Sequence, residues 1–111
     1  MFHMLTCFNL KPGHDIDGFQ TSLDALTAHM KGLELLESTG PVGQRRRHEV
    51  MDTDSERDHE YFFVMSFKDE EQVDQAVDYM RPYDESEDSL HRSAHGQISD
   101  YIFICWEDVP E

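Results

Sequence analysis

Three stretches of this chain are apolar on both of the faces that a strand would present. Tyr61-Phe62-Phe63-Val64-Met65-Ser66-Phe67 must bury something whichever way its side chains point. Tyr101-Ile102-Phe103-Ile104-Cys105-Trp106 behaves likewise, and Phe2-His3-Met4-Leu5-Thr6-Cys7-Phe8 nearly so. A strand with one face in water alternates apolar and polar residues, whereas these need cover on each side. The first is expected over Phe2 to Leu10, ending at Lys11-Pro12-Gly13, where a fixed φ precedes a permissive one. Ile16, Phe19, Leu23, Leu26, Met30 and Leu33 then recur at steps of 3 and 4, the stripe of an amphipathic helix. Asp15 is placed to cap that helix, and Gly32 marks its end.

A polar, arginine-rich strand is expected from about Val42 to Met51, an edge defended by charge. Asp52 to His59 is an acidic connection leading into the aromatic strand, which makes the pair a hairpin. Asp69 caps a second helix, with Gln72 following as in a capping box. Its buried stripe is Val73, Ala76, Val77 and Met80, and Arg81-Pro82 breaks it. Asp84 to His95 adds a turn or two of helix before Gly96 and the last strand.

The order βαββαβ predicts an α+β, ferredoxin-like fold: a four-stranded antiparallel sheet with two main helices on one face, in one domain over residues 1–111. There is enough helix to cover one face of the sheet. The simplest cover for the other is a second copy of the same sheet, so a homodimer joined through sheet faces is expected.

Charge narrows the partners. Nine Lys and Arg against 24 Asp and Glu give a formal charge of −15, with no long basic face. Nucleic acid and anionic membrane surfaces are poor partners for such a chain. No apolar run approaches the roughly 20 residues of a membrane span, and the strand-like start lacks a basic leader. Cys7 and Cys105 fall on different strands about three residues out of register, or roughly 10 Å, too far for a disulfide. Two buried free thiols and a cytoplasmic location are the expectation.

Several of these residues, taken together, resemble the stress-responsive A/B barrel (Dabb-type) domains. The turn Leu10-Lys11-Pro12-Gly13 closing a short first strand is similar, as is Tyr61–Phe67 running straight into Lys68-Asp69-Glu70-Glu71-Gln72-Val73. The final strand, Asp100 to Glu107, completes a resemblance that spans nearly the whole chain. It implies a ferredoxin-like unit whose sheets pair into a dimeric α+β barrel. It also implies relatives that are cyclases, isomerases or cofactor-free monooxygenases of aromatic or polyketide-like molecules, beside others with no assigned activity. This chain departs from the pattern where such relatives carry histidines. Met4 takes the place of a first-strand histidine, and His3, one residue off, is turned to the barrel interior between subunits. At the end of the second helix Arg81 and Asp84 flank Pro82 where a His-Pro-x-His segment would stand, or Tyr79 takes the first of those positions in a gapless alignment.

The remaining constellations each have a plainer reading. Glu87, His91 and His95 share a helical face, but Arg92 replaces the glutamate of a zinc-binding His-Glu-x-x-His and two histidines fall short of a metal's ligand count, so no metal is expected. Asp52, Asp54, Glu56 and Asp58 alternate as in a calcium loop, yet Arg57 and Phe63 occupy its diagnostic glycine and glutamate positions. Arg45 and Arg47 share one strand face and suit a carboxylate or phosphate, or else edge protection and ion pairs with the abundant acids. Tyr61, Tyr79, Arg81, His91 and Trp106 are candidates to line an apolar ligand cavity, though aromatics serve equally in a core or an interface. No phosphate loop, nucleophile elbow or Cys-x-x-Cys occurs, and no cofactor is expected.

Two readings remain. One is a non-catalytic or ligand-binding, stress-associated dimer holding a small apolar or aromatic molecule. The other is a small enzyme in which Tyr79, Arg81 or His91 polarises a carbonyl or moves a proton. The missing histidines favour the first.

Overall fold

The computed structural model describes residues 1–110. Strand β1, Phe2–Leu10, lies between β4, Tyr61–Phe67, and β5, Ile98–Glu107, antiparallel to both. Helix α1, Ile16–Gly32, begins at Asp15, whose carboxylate accepts from the Gly18 backbone N–H at 2.7 Å. It ends past Gly32 with Glu34 at φ 59°, the left-handed conformation usually left to glycine.

Side chains alternate across the strands, so one register assigns both faces. Phe8 packs 4.7 Å from Phe19 of α1, which turns Phe2, Met4, Thr6 and Phe8 toward the helices. Their partners Phe67, Met65, Phe63 and Tyr61 share that face, as do Phe103 and Cys105 of β5. Phe8, Phe19, Leu23, Leu26, Met30, Phe63 and Phe67 form the centre of the core.

Helix α2, Glu70–Tyr83, starts as its sequence directs, with Gln72 N–H donating to Asp69 at 2.9 Å. Gln72 Oε1 accepts from the Lys68 backbone rather than from Asp69, and its amide reaches the Glu34 carbonyl at 3.0 Å. That partnership with the end of α1 explains a buried glutamine. The helix does not break at Arg81-Pro82. Pro82 falls in the last turn, where one donor is forfeited while Asp84 N–H still bonds to Met80 at 2.8 Å. Of the expected stripe only Ala76 is buried, and Val77 is 43% exposed, so α2 sits loosely on the sheet. A short helix α3, Leu90–His95, follows, capped by Ser89.

The expected strand from Val42 to Met51 is replaced by two short ones on the same edge. Strand β2, Ser38–Thr39, and β3, Gly43–Gln44, both pair with β4, giving a five-stranded sheet. The chain leaves the sheet after Arg45 because that guanidinium turns to its own loop. It is bidentate on Asp52 at 2.7 and 2.8 Å, and also reaches the carbonyls of Asp54 and Arg57.

The sheet face away from the helices carries Leu5, Cys7, Phe62, Val64, Ile102, Ile104 and Trp106. Cys7 is only 2% exposed there, and the charges acting on its thiol are Arg57, Asp54 and Arg45. The acidic loop therefore folds over that end of the face. Burial pushes the Cys7 thiol up from its ordinary value, and Arg57 offsets only part of this. The β5 end stays bare, with Ile102 38%, Ile104 39% and Trp106 41% exposed. Cys105 pairs with Met4 and Cys7 with Ile102, so the cysteines are three positions apart and both free, but Cys105 is exposed rather than buried.

Candidate functional site

The loose seating of α2 opens a cavity between the helices and the sheet. It has a volume of about 230 Å³ and an apolar wall built by Met4 and Met65 of the sheet, Leu26 and Met30 of α1, and Val73, Ala76 and Met80 of α2. Val77, Phe103 and Cys105 are the exposed residues of its lining and mark its open side. A second cavity of about 80 Å³ adjoins it, sharing Met4, Leu26, Met65, His91 and Phe103. Thr6, His95 and Ile98 belong to this smaller one.

The polar groups around these cavities are few and specific. Thr6 is fully buried, and among the described residues its Oγ1 has no hydrogen-bond partner. A buried hydroxyl left unpaired costs about 1–3 kcal/mol, and with no accessible surface this atom is also out of reach of a molecule in the cavity. His91 Nδ1 lies 3.0 Å from Asp84 Oδ2, while Asp84 Oδ1 accepts from Ser89 Oγ at 2.8 Å. Burial pushes the Asp84 carboxyl up, but the hydrogen bonds from Ser89 and His91 outweigh it and hold the group below the usual carboxylate value. His95 stacks on His91 at 5.5 Å and meets Tyr101 edge-on at 4.4 Å. Burial, and then the charge of His91, push His95 down, so it stays neutral near neutral pH.

Among Tyr61, Tyr79, Arg81, His91 and Trp106, His91 is the one that lines the cavities; His95, weighed from the sequence only as a metal ligand, lines the smaller. Tyr79 shares a 2.8 Å hydrogen bond with His29 and ties α2 to α1. Arg81 is exposed at the end of α2. Tyr61 stacks on Phe8 at 5.6 Å on the helix side of the sheet, outside both cavity linings, and burial pushes its phenol up. Trp106 is on the opposite face, 5.2 Å from the ring of His3. His3 also lies on that face: Asp108 accepts from Nε2 at 2.9 Å, so in the neutral ring Nδ1 accepts the Ser66 hydroxyl at 2.8 Å.

The arginines bond to their own loop. Arg45 is consumed by Asp52 and loop carbonyls, and Arg47 reaches the Asp54 carbonyl at 2.9 Å and Asp58 at 3.6 Å. The calcium-like run Asp52, Asp54, Glu56, Asp58 spends its first two carboxylates on Arg45 and Arg57. No cluster of metal-ligating side chains occurs among the described residues.

Sequence reasoning missed the buried Thr6 and the Asp84–His91 bond. Thr6 carried no signal beyond its place on an apolar strand. Asp84 was weighed only as a departure from a histidine pattern, and its bond to His91 depends on the helix continuing through Pro82.

No protein family model and no curated protein matches this chain. Its fold is found among solved structures. The Arabidopsis thaliana protein At3g17210 superposes with a TM-score of 0.73 at 11% identity, covering 100% of this chain and 98% of that one. A dimeric ferredoxin-like protein of unknown function from Jannaschia sp. CCS1 gives 0.58 at 17% identity, over 96% and 98%. SnoaB, a cofactor-independent oxygenase from Streptomyces nogalater, gives 0.51 at 9% identity, over 99% and 92%. At such identities the likeness establishes a ferredoxin-like α+β fold.

Proposed function

We propose that this chain is a small ferredoxin-like module of the Dabb type that forms a homodimer and binds a small apolar or aromatic molecule in the helix-side cavity. The observation that carries the reading is the pair of adjoining cavities between helices and sheet, walled almost wholly by apolar side chains. Ligand sites of this kind are mostly apolar, with a few polar groups that fix orientation. The bound molecule would place its apolar body among Met4, Met30, Met65 and Met80, whose flexible side chains adapt to varied shapes.

The dimer rests on the bare β5 end of the outer face, where Ile102, Ile104 and Trp106 lie in a row. Contiguous apolar surface of this sort marks an interaction site. A second copy matches it by construction, since a two-fold interface pairs a patch with itself, and the Jannaschia structure is described as dimeric.

The binding claim is tested with 2-naphthol, an uncharged aromatic carrying one hydroxyl. Equilibrium dialysis is expected to show saturable uptake of one molecule per chain. Ala76→Leu fills the larger cavity and is expected to remove that uptake while the fold is retained. Uptake that never saturates, or that survives Ala76→Leu unchanged, would contradict the assignment.

A further inference from the structure

We infer that the loop over residues 45–58 is an arm that clasps a second copy of this chain, its tip Val50-Met51 covering the Trp106 end of the partner's outer sheet face. This rests on the dimer reading above and names the segment of one protomer that meets the bare surface of the other.

The loop is stiff and ends in an apolar tip. Arg45 and Arg57 staple it through Asp52 and Asp54, and Arg47 holds the Asp54 carbonyl at 2.9 Å. At the turn His48 Nδ1 accepts from the backbone N–H groups of Val50 and Met51 at 3.1 and 3.0 Å. Those two side chains stand among Arg46, Arg47, Glu49 and Asp52, and are 71% and 80% exposed. A tip already held in place loses little freedom when it docks. The chain is also wider than its length requires. Its Cα radius of gyration is 14.8 Å, against about 13 Å for a compact domain of this size. It forms a slab of 45 × 42 × 19 Å, with helices over one broad face and the other bare along β5.

Symmetry decides where the tip goes. The loop lies at the Cys7 end of the outer face, and the register of β1 with β5 sets Cys7 opposite Ile102, Leu5 opposite Ile104 and His3 opposite Trp106. The His3–Trp106 end is therefore the one farthest from the loop. A two-fold axis between two packed faces can run along the strands or across them. Along the strands it stacks loop on loop and brings together Glu49, Asp52, Asp54, Glu56 and Asp58 of both copies. Such like-charge contact is costly, the more so in a chain of formal charge −15. Across the strands the axis turns the second sheet end for end. Each loop then lies over the other copy's Trp106, with both Ile104 side chains near the axis. That arrangement sets the apolar tip on the apolar row and keeps the acidic loops apart. Arg46, whose bonds go only to Gln44 and a backbone carbonyl, is the loop arginine left to meet Glu107 or Asp108 at that end.

The test puts the photo-crosslinker p-benzoylphenylalanine in place of Met51 in the full chain. Dimers are assembled from this variant and wild type labelled with heavy nitrogen, so that a bond between copies is told from one within a copy by mass. Cross-links between copies are expected on the peptide that carries Trp106, the single tryptophan of the chain. The double variant Val50→Ser, Met51→Ser is expected to weaken the dimer by about tenfold and to shift Trp106 emission to longer wavelength. Cross-links confined to one chain, or between copies at the Cys7 end, overturn the arm and leave the dimer reading standing. So does a double variant whose dimer affinity is unchanged. A monomeric wild type overturns both.

Discussion

Thr6 stands opposite Phe103 in the register of β1 and β5, fully buried, with its hydroxyl unpaired while Phe103 remains 45% exposed. One strand thus carries a polar atom into the interior at the point where its neighbour borders the open side of the cavity. Thr6→Val keeps the shape and deletes the orphan group. It is expected to raise the stability of the protein by about 1 kcal/mol, measured by urea unfolding. Lower stability in Thr6→Val would mean that the hydroxyl is satisfied in the folded chain.

The end of α1 stores backbone strain in an ordinary residue. Glu34 has φ 59°, and the next N–H bonds back to the Met30 carbonyl at 2.9 Å. A side chain in this conformation costs roughly 1 kcal/mol that glycine avoids. Glu34→Gly is therefore expected to raise the thermal midpoint, because the Gln72 contact uses only the Glu34 carbonyl. A lowered midpoint would show that the Glu34 side chain contributes more than its backbone loses.

Acid should release the loop over Cys7 before it unfolds the core. The hydrogen bond from Arg57 holds the Asp54 carboxyl down at about 2, below its ordinary 3.8. A depressed pKa contributes stability that is fully present above about 4 and lost as pH falls toward about 2. Thiol labelling of Cys7 is expected to accelerate across that window after correction for thiolate content. Asp54→Asn should already label fast at neutral pH. Equal protection in wild type and Asp54→Asn would detach the loop from this ion pair.

The dimer has its own test on the outer face. Ile104 pairs with Leu5 there and is 39% exposed in a single chain. Ile104→Asp would bury a carboxylate against a second copy, so light scattering is expected to report a monomer or an aggregate where wild type gives a dimer. A monomeric wild type would remove the dimer from the account.

Much of this fold is legible from the chain because local signals and burial agree. Asp15, Asp69 and the aromatic strands act where their patterns place them. The edge after β3 was not legible, since charge on an exposed strand and charge on a folded loop look alike in sequence. What decides is whether Arg45 finds Asp52, seven residues on, and that is a matter of tertiary closure. Pro82 misled for a related reason: a proline in a last turn forfeits one bond, and the continuing Met80–Asp84 bond is invisible to a breaker rule. The site suffered most. His91 showed itself as a helical histidine, but its partner and its cavity follow from how loosely α2 seats, which depends on Ala76 and Val77 together.

The methionines give the most direct measurement of the central claim. Met4, Met30, Met65 and Met80 line the larger cavity, while Met1 and Met51 are exposed elsewhere. With carbon-labelled methionine methyl groups, titration of 2-naphthol is expected to shift the four cavity signals along one saturation curve and leave the two exposed ones in place. Shifts confined to Met1 or Met51, or no shifts at all, would contradict a ligand site between the sheet and its helices.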